Sequence, residues 1–354
     1  MVTSEQVAQL AGVSRATVSR VLNGSPRISA EARERVHAAI ATLGYEPDRV
    51  AQSLVRHRSH TIALALPNDQ EREPGLNLSS IGKTSHYFYI DMLQYIEREV
   101  ISQGYDLLFP SRPHGTSPEN YTRSLQMRRV AGTILLGQRF HPPDPRIQSL
   151  LQANIPTVFI DNLGQGNRAT SVKADHVDSA RQITEHLLSL GHRRIAILTG
   201  PIIDLPAMER LLGCQHALAR AGITPEPGLI RPGGWNIDEA YATANVLLDE
   251  RRDFTAIVAG SDLMAFGILH ALHEHGLRVP EDISLTGFDD VELSQYSNPS
   301  LTTIRQDREA IGRGAVQRLI AMIEGKEEEP PPPLVVSTQL VVRKSTGPSS
   351  GKNL

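Results

Sequence analysis

The chain has 354 residues, 36 basic against 39 acidic side chains, 40% hydrophobic residues and one cysteine. That length predicts about two or three domains with ample core, and the composition excludes a disordered chain. The lone Cys214 excludes a disulfide framework and a cysteine zinc site. No apolar run approaches the ~18 residues of a membrane helix, and the first twenty residues lack the apolar core of a secretory leader, so a cytoplasmic protein is expected. Charge is unevenly spread. Residues 1–60 hold eight arginines and five carboxylates, whereas the remainder holds 28 bases and 34 acids. A basic head on an acidic body points to a polyanionic partner.

Residues 3–42 read as three short helices. Ser4 is predicted to cap a helix that ends at Ala11, with Val7, Ala8 and Leu10 on one face. Gly12 breaks it and Val13 fills the corner. Ser14 caps a second helix over 15–22, with Val18, Val21 and Leu22 inward. Asn23, Gly24 and Pro26 make a turn, and Ser29 caps a third helix that buries Val36, Ala39, Ile40 and Leu43. Two helices about a tight glycine turn, with a supporting third, describe a helix-turn-helix. Its second helix projects Arg15, Ala16, Ser19 and Arg20, while Ser14, Thr17 and Asn23 are placed to reach phosphates. Arginine suits bidentate contact with guanine O6 and N7.

Residues 45–58 add a second device. Asp48 caps a two-turn helix with Val50, Ala51 and Leu54 on one face, ringed by Arg49, Arg56 and Arg58. A helix this short is marginal alone and is expected to order on DNA or against a twin. An apolar wedge flanked by arginines is equipment for opening a minor-groove step.

VTSEQVAQLAGVSRATVSRVLN followed by GYEPDRVAQSL resembles the head of the lac repressor/galactose repressor family of bacterial transcriptional regulators. The resemblance implies that Arg15, Ala16 and Arg20 read bases and that Leu54, with Arg49 beside it, is the wedge of a hinge helix. It further implies that Thr3, Ser14, Thr17, Ser19, Asn23 and Ser29 contact DNA backbone or bases.

From Thr61 the pattern changes to short β-branched runs at 61–66, 105–109, 132–136, 156–160, 194–198, 255–259 and 283–287. Helices are predicted between them, among them 88–103, 178–190, 207–221, 237–249 and 262–276. Such alternation means parallel sheets, here in two similar lobes. The expected architecture is α+β multidomain, with an all-α head and hinge helix before a two-lobed α/β body like a periplasmic binding protein. Its parts are 1–46, a hinge over 47–59, a body over 60–344 with lobe crossovers near 161, 290 and 325, and a flexible tail over 345–354. KEEEPPPP (326–333) reads as a helix end and polyproline connector, followed by one strand in LVVSTQLVVRKS. The tail TGPSSGKNL cannot form a leucine heptad, so a dimer is expected rather than a coiled-coil tetramer.

Ligands of open α/β sheets sit beyond the carboxyl ends of the strands. There, Asp161, Gly200, Ser261–Asp262 and Asp289–Asp290 follow apolar strands. The family resemblance continues through GHRRIAILTGP, ERLLGCQHAL, GSDLMAFGILHALHEHGLRVPEDISLTGFDD and SLTTIRQD. It implies that Asp161, Arg210, Trp235, Ser261 and Asp289 contact an effector. Their chemistry suits a carbohydrate, with Trp235 facing sugar C–H groups and Asp289 and Arg210 holding vicinal hydroxyls. A Tyr87–Phe88 pair nearby adds stacking surface. Three departures from the family bear on which sugar is bound: a longer loop at 68–85, Ser261 where an amide is common, and Arg308 where an apolar ring can occur.

Enzyme-like signals are weak. Gly164 to Ala169 matches a dinucleotide fingerprint, but 169–175 reads as extended where a helix is required. His270, His273 and His275 share a helix without a carboxylate or cysteine partner. Asp289–Asp290 lacks a second positioned carboxylate. Neither a catalytic role nor a cofactor is expected. The reading is a sugar-responsive repressor that binds a palindromic operator as a dimer. The alternatives are the same regulator with a nucleobase or nucleoside effector, and a periplasmic sugar carrier, which the basic head argues against.

Overall fold

The computed structural model describes residues 2–22, 25, 27–45, 59–65, 87–110, 118–137, 145–164, 166–325 and 329–349. Asn23, the hinge residues Arg49 and Leu54, and the 68–85 loop lie outside the described residues. The chain divides into two compact units, Met1–His60 and Thr61–Leu354.

In the first unit, α1 (Ser4–Ala11), α2 (Arg15–Leu22) and α3 (Ala30–Leu43) enclose a core of Val7, Ala8, Ala11, Val18, Val21, Val36 and Ala39. Ile40 and Leu43 pack at its edge, only half-buried. The cap of α1 is Thr3, not Ser4. Thr3 has the extended backbone that a cap needs, its side chain accepts from the Gln6 amide, and the Gln6 side chain returns to the Thr3 amide at 2.9 Å. Gly12 closes α1 in the left-handed region at φ 63°.

The second unit holds two lobes. In the first, β1 (Thr61–Ala65), β2 (Asp106–Leu108), β3 (Gly132–Leu136), β4 (Thr157–Ile160), β5 (Ala169–Ala174) and β11 (Leu334–Val336) form a parallel sheet of order β11-β5-β4-β3-β1-β2. Helices cover both faces. Met92 and Ile96 of α4 (Tyr87–Ser102), with Leu319 and Ile323 of α11 (Arg308–Glu324), pack on Ile62 and Leu64. Tyr121 and Leu125 of α5 (Pro118–Met127), with Leu150 of α6 (Pro145–Gln152), pack on Ala63 and Ala65. Alternate residues of β1 thus enter opposite cores, and its apolar run is unbroken because neither face meets water.

The second lobe repeats the plan. β6 (Ile195–Thr199), β7 (Ile230–Pro232), β8 (Ala256–Ala259) and β9 (Ser284–Thr286) run parallel in the order β7-β6-β8-β9. α7 (His176–Ser189) and α8 (Leu205–Arg220) cover one face, α9 (Ile237–Glu250) and α10 (Asp262–Glu274) the other. An antiparallel pair, β10 (Thr303–Gln306) with β12 (Thr338–Val341), completes the unit. β7 and β10 were not among the expected strands.

Strand pairing corrects the crossovers. β5 still belongs to the first sheet, so the chain leaves that lobe at Asp175 rather than near 161. It returns at Asp307, after β10, rather than near 290. The third passage falls at Ser337 rather than near 325, because LVVSTQLV is two strands, β11 in the first sheet and β12 paired with β10. Asp175 and Asp307 share one backbone geometry (φ −76°, ψ 78° and φ −78°, ψ 80°), and each caps the helix that follows.

Residues 345–349 do not form a free tail. Ser345 is buried, donates to the Leu285 carbonyl at 2.6 Å and accepts from the Thr302 amide at 2.8 Å. The Ser349 amide reaches the Leu190 carbonyl at 2.9 Å.

Candidate functional site

In the head, α2 turns Val18 and Val21 into the core, so Arg15, Ala16, Ser19 and Arg20 form one exposed face. Ser14 caps α2, its Oγ accepting from the Thr17 amide at 3.1 Å and meeting Thr17 Oγ1 at 2.9 Å. Arg15 Nε donates to Ser4 Oγ at 3.1 Å, which steadies its stem while the residue stays exposed. Ser29 accepts from the Ala32 amide at 3.3 Å. The helix therefore offers two guanidinium groups and short polar side chains on one outward face.

In the body, loops at the carboxyl ends of β4, β6, β8 and β9 converge where the two lobes meet. Arg210, on α8, is 8% exposed, donates to the Gly260 carbonyl and reaches Asp289 Oδ1 at 3.4 Å. Its guanidinium lies 3.6 Å from the Phe288 ring centroid and 5.5 Å from that of Trp235. Gln306 Nε2 also donates to Asp289 Oδ1, at 2.7 Å. Burial raises the Asp289 carboxyl above its ordinary range, against the lowering charges of Arg210 and Arg308. Asp289 takes a left-handed φ of 112° and Asp161 one of 56°, conformations that short polar side chains tolerate best.

Asp161 is buried beside the fully buried His176, with Oδ1 and Nε2 3.0 Å apart. Burial would raise the Asp161 carboxyl, but His176 and the Arg210 charge outweigh it and hold it below the usual value. Tyr89, on α4 of the first lobe, which also carries Asp161, feels the same charges. Its enclosed position, then Asp161, Asp289 and Asp204, push its phenol well above the ordinary value. Gly137 makes room for it, since a Cβ there would lie 2.3 Å from Tyr89 Oη. The half-buried Trp235 donates from Nε1 to Asp204 Oδ2 at 2.6 Å. The site thus presents an indole, a phenol, three carboxylates and the Arg210 guanidinium, with Arg308 Nη1 donating to the Asp289 carbonyl at 2.9 Å.

Residues 4–48 match the model of the bacterial regulatory proteins of the lacI family, and residues 184–346 match a periplasmic binding protein-like domain. The transcriptional regulator CelR of Thermobifida fusca is 35% identical over 348 residues, 97% of this chain and 98% of that protein. The chain belongs to the lacI family.

Two solved structures of the family cover nearly the whole chain. A CelR–cellobiose complex superimposes with a TM-score of 0.72 at 34% identity, covering 98% of this chain and 100% of that one. A lac repressor dimer bound to operator and the anti-inducer ONPF gives 0.77 at 32% identity, covering 98% and 99%. The relatives are regulators by name, not enzymes.

Against this lacI-family frame, Asp161, Arg210, Trp235 and Asp289 converge at the interlobe site. Ser261 is there too, but its Oγ is engaged as the cap of α10, accepting from the Met264 amide at 3.2 Å. Phe88 packs with the first lobe's core and edge-on against Tyr89 at 5.4 Å, with Arg308 6.0 Å from its centroid. Nothing is described of the Tyr87 side chain. Asp290, beside Asp289, faces another way and accepts at 2.6 Å from both Arg305 and Arg343.

Sequence reasoning missed Tyr89, Asp204, His176 and Gln306. Tyr89 follows Tyr87 and Phe88 directly, so only helix phase relative to the sheet distinguishes the three rings. Of the enzyme-like signals, Ala169 opens β5 rather than a helix. His270 stacks on Tyr241 and His275 bonds Asn245 at 2.9 Å, so these rings serve separate neighbours.

Proposed function

We propose that this chain is a sequence-specific DNA-binding transcriptional repressor, acting as a dimer on a palindromic operator and controlled by a small carbohydrate between its lobes. The observation that carries the effector reading is the Arg210–Asp289 pair beside the Trp235 ring. A guanidinium donates to, and a carboxylate accepts from, neighbouring sugar hydroxyls, while the indole covers an apolar C–H face. The cellobiose-bound CelR relative supports a disaccharide of that kind. Asp161, Ser261 and Tyr89 extend the polar rim, and Tyr87 and Phe88 belong to the same helix end.

On the DNA side, Arg15, Ala16 and Arg20 read base edges, while Thr3, Ser14, Thr17, Ser19, Asn23 and Ser29 contact backbone or bases. Arg49 and Leu54 act from the hinge. Two heads are needed because one helix-turn-helix neutralises too few phosphates for tight specific binding. Effector closes the lobes about the crossovers at Asp175, Asp307 and Ser337, and that motion shifts the hinge equilibrium. The protein works in the cytoplasm, and no catalytic step is assigned to it.

The test uses Trp235, the single tryptophan. Its emission is followed while the protein is titrated with cellobiose, lactose and ribose, with adenine and guanine as controls. A saturable change with a sugar, and altered operator affinity in that sugar, is the expected result. Saturation by a purine alone would replace the carbohydrate with a nucleobase.

A further inference from the structure

We propose that Asp204 is a positioning residue of the interlobe site, holding the Trp235 indole in the one orientation that turns its face to the effector. The carbohydrate reading supplies the ligand in this inference, but not the contact.

Asp204 precedes α8, where an aspartate ordinarily accepts from the amide of the second or third helical residue. Pro206 occupies the second helical position and has no N–H, and Asp204 makes no cap bond. Its Oδ2 accepts from Trp235 Nε1 at 2.6 Å instead. The residue is 8% exposed, so water competes little for that bond. The two residues come from different loops, one after β6 and one after β7, so no local turn would bring them together.

The rest of the indole's surroundings fit a ring held in place. A Cβ at Gly200 would lie 2.3 Å from ring atoms Cε2 and Cζ2, so the ring rests directly on that backbone. Gly234 supplies the left-handed φ of 66° just before it. Arg210 stands 5.5 Å from its centroid. Rotation of an indole about Cβ–Cγ is otherwise soft and broad. A hydrogen bond at the far edge removes that freedom, and stacking on a sugar requires its removal before binding.

The test compares full-length wild type with Asp204→Ala and Asp204→Asn, which keeps an acceptor oxygen. Near-ultraviolet circular dichroism reads the order of the single indole without ligand, and titration with cellobiose, lactose and ribose reads affinity. Asp204→Ala is expected to collapse the indole band and weaken binding of the responsive sugar by about tenfold. Asp204→Asn is expected to restore both to within about twofold. Asp204→Leu, which keeps the bulk without an acceptor, is expected to reproduce the loss and serves if the first variant does not fold; an unchanged band in it overturns the proposal likewise. An unchanged band in Asp204→Ala overturns the proposal, whatever the affinity. If wild type responds to no sugar, the carbohydrate reading falls while the band still decides the role of Asp204.

Discussion

Arg210 and Asp289 meet at 3.4 Å, each already engaged elsewhere: Arg210 with the Gly260 carbonyl, Asp289 with Gln306. Neither charge is buried without a partner, which is the condition for keeping both under 12% side-chain exposure. The pair is therefore preorganised to exchange part of its mutual contact for hydroxyl groups.

Asp289→Asn tests that exchange. The amide keeps the size but loses the charge that Arg210 and sugar hydroxyls both use. Affinity for the responsive sugar is expected to fall at least tenfold, about 1.4 kcal/mol or more, by calorimetry. Operator affinity without sugar is expected to hold. Equal sugar affinity in the variant would remove Asp289 from the site.

Asp262 gives a pH prediction. It is fully buried and accepts from the Val291 amide at 2.8 Å and from Ser294 at 2.7 Å and Thr303 at 2.5 Å. Burial, and then the charge of Asp289, push its carboxyl from 3.8 up to about 7. The folded state thus holds a proton that the unfolded state has released, so this contribution to stability declines as pH rises from about 4 to about 7. The melting-temperature difference between wild type and Asp262→Asn is expected to move in the variant's favour from pH 5 to pH 8. A pH-independent difference would contradict the assignment.

Gly213 sits where α7 and α8 touch, and a Cβ there would lie 2.2 Å from the Val177 carbonyl oxygen. Gly213→Ala forces these helices apart and is expected to cost roughly 1–3 kcal/mol. Chemical denaturation of the body measures this. An unchanged midpoint would mean that the backbone yields freely.

Arg20 stands exposed on the outward face of α2. Arg20→Ala is expected to lower the ratio of operator to random-sequence affinity, by about 1–3 kcal/mol for a guanine contact, while sparing sugar binding. Equal losses on both DNAs would reassign Arg20 to phosphate.

Whatever depends on near neighbours could be read from the residues alone. The head was legible because its caps, its glycine corner and its apolar faces repeat within four residues. Even the error there was local, Thr3 for Ser4, and lay in which residue keeps an extended backbone. Most strands of both lobes were legible because sheets covered on two faces need unbroken apolar runs, whereas β7, Ile-Arg-Pro, lacks such a run.

Tertiary structure decided everything that depends on which distant partner a segment meets. β11 and β12 read alike, yet one joins the first sheet and the other pairs with β10. Of the adjacent Asp289 and Asp290, one turns to Arg210 and the other to Arg305 and Arg343. Trp235 is visible in any reading of the chain. Asp204, 31 residues earlier, becomes its partner only because the loops after two neighbouring parallel strands open on the same side of the sheet.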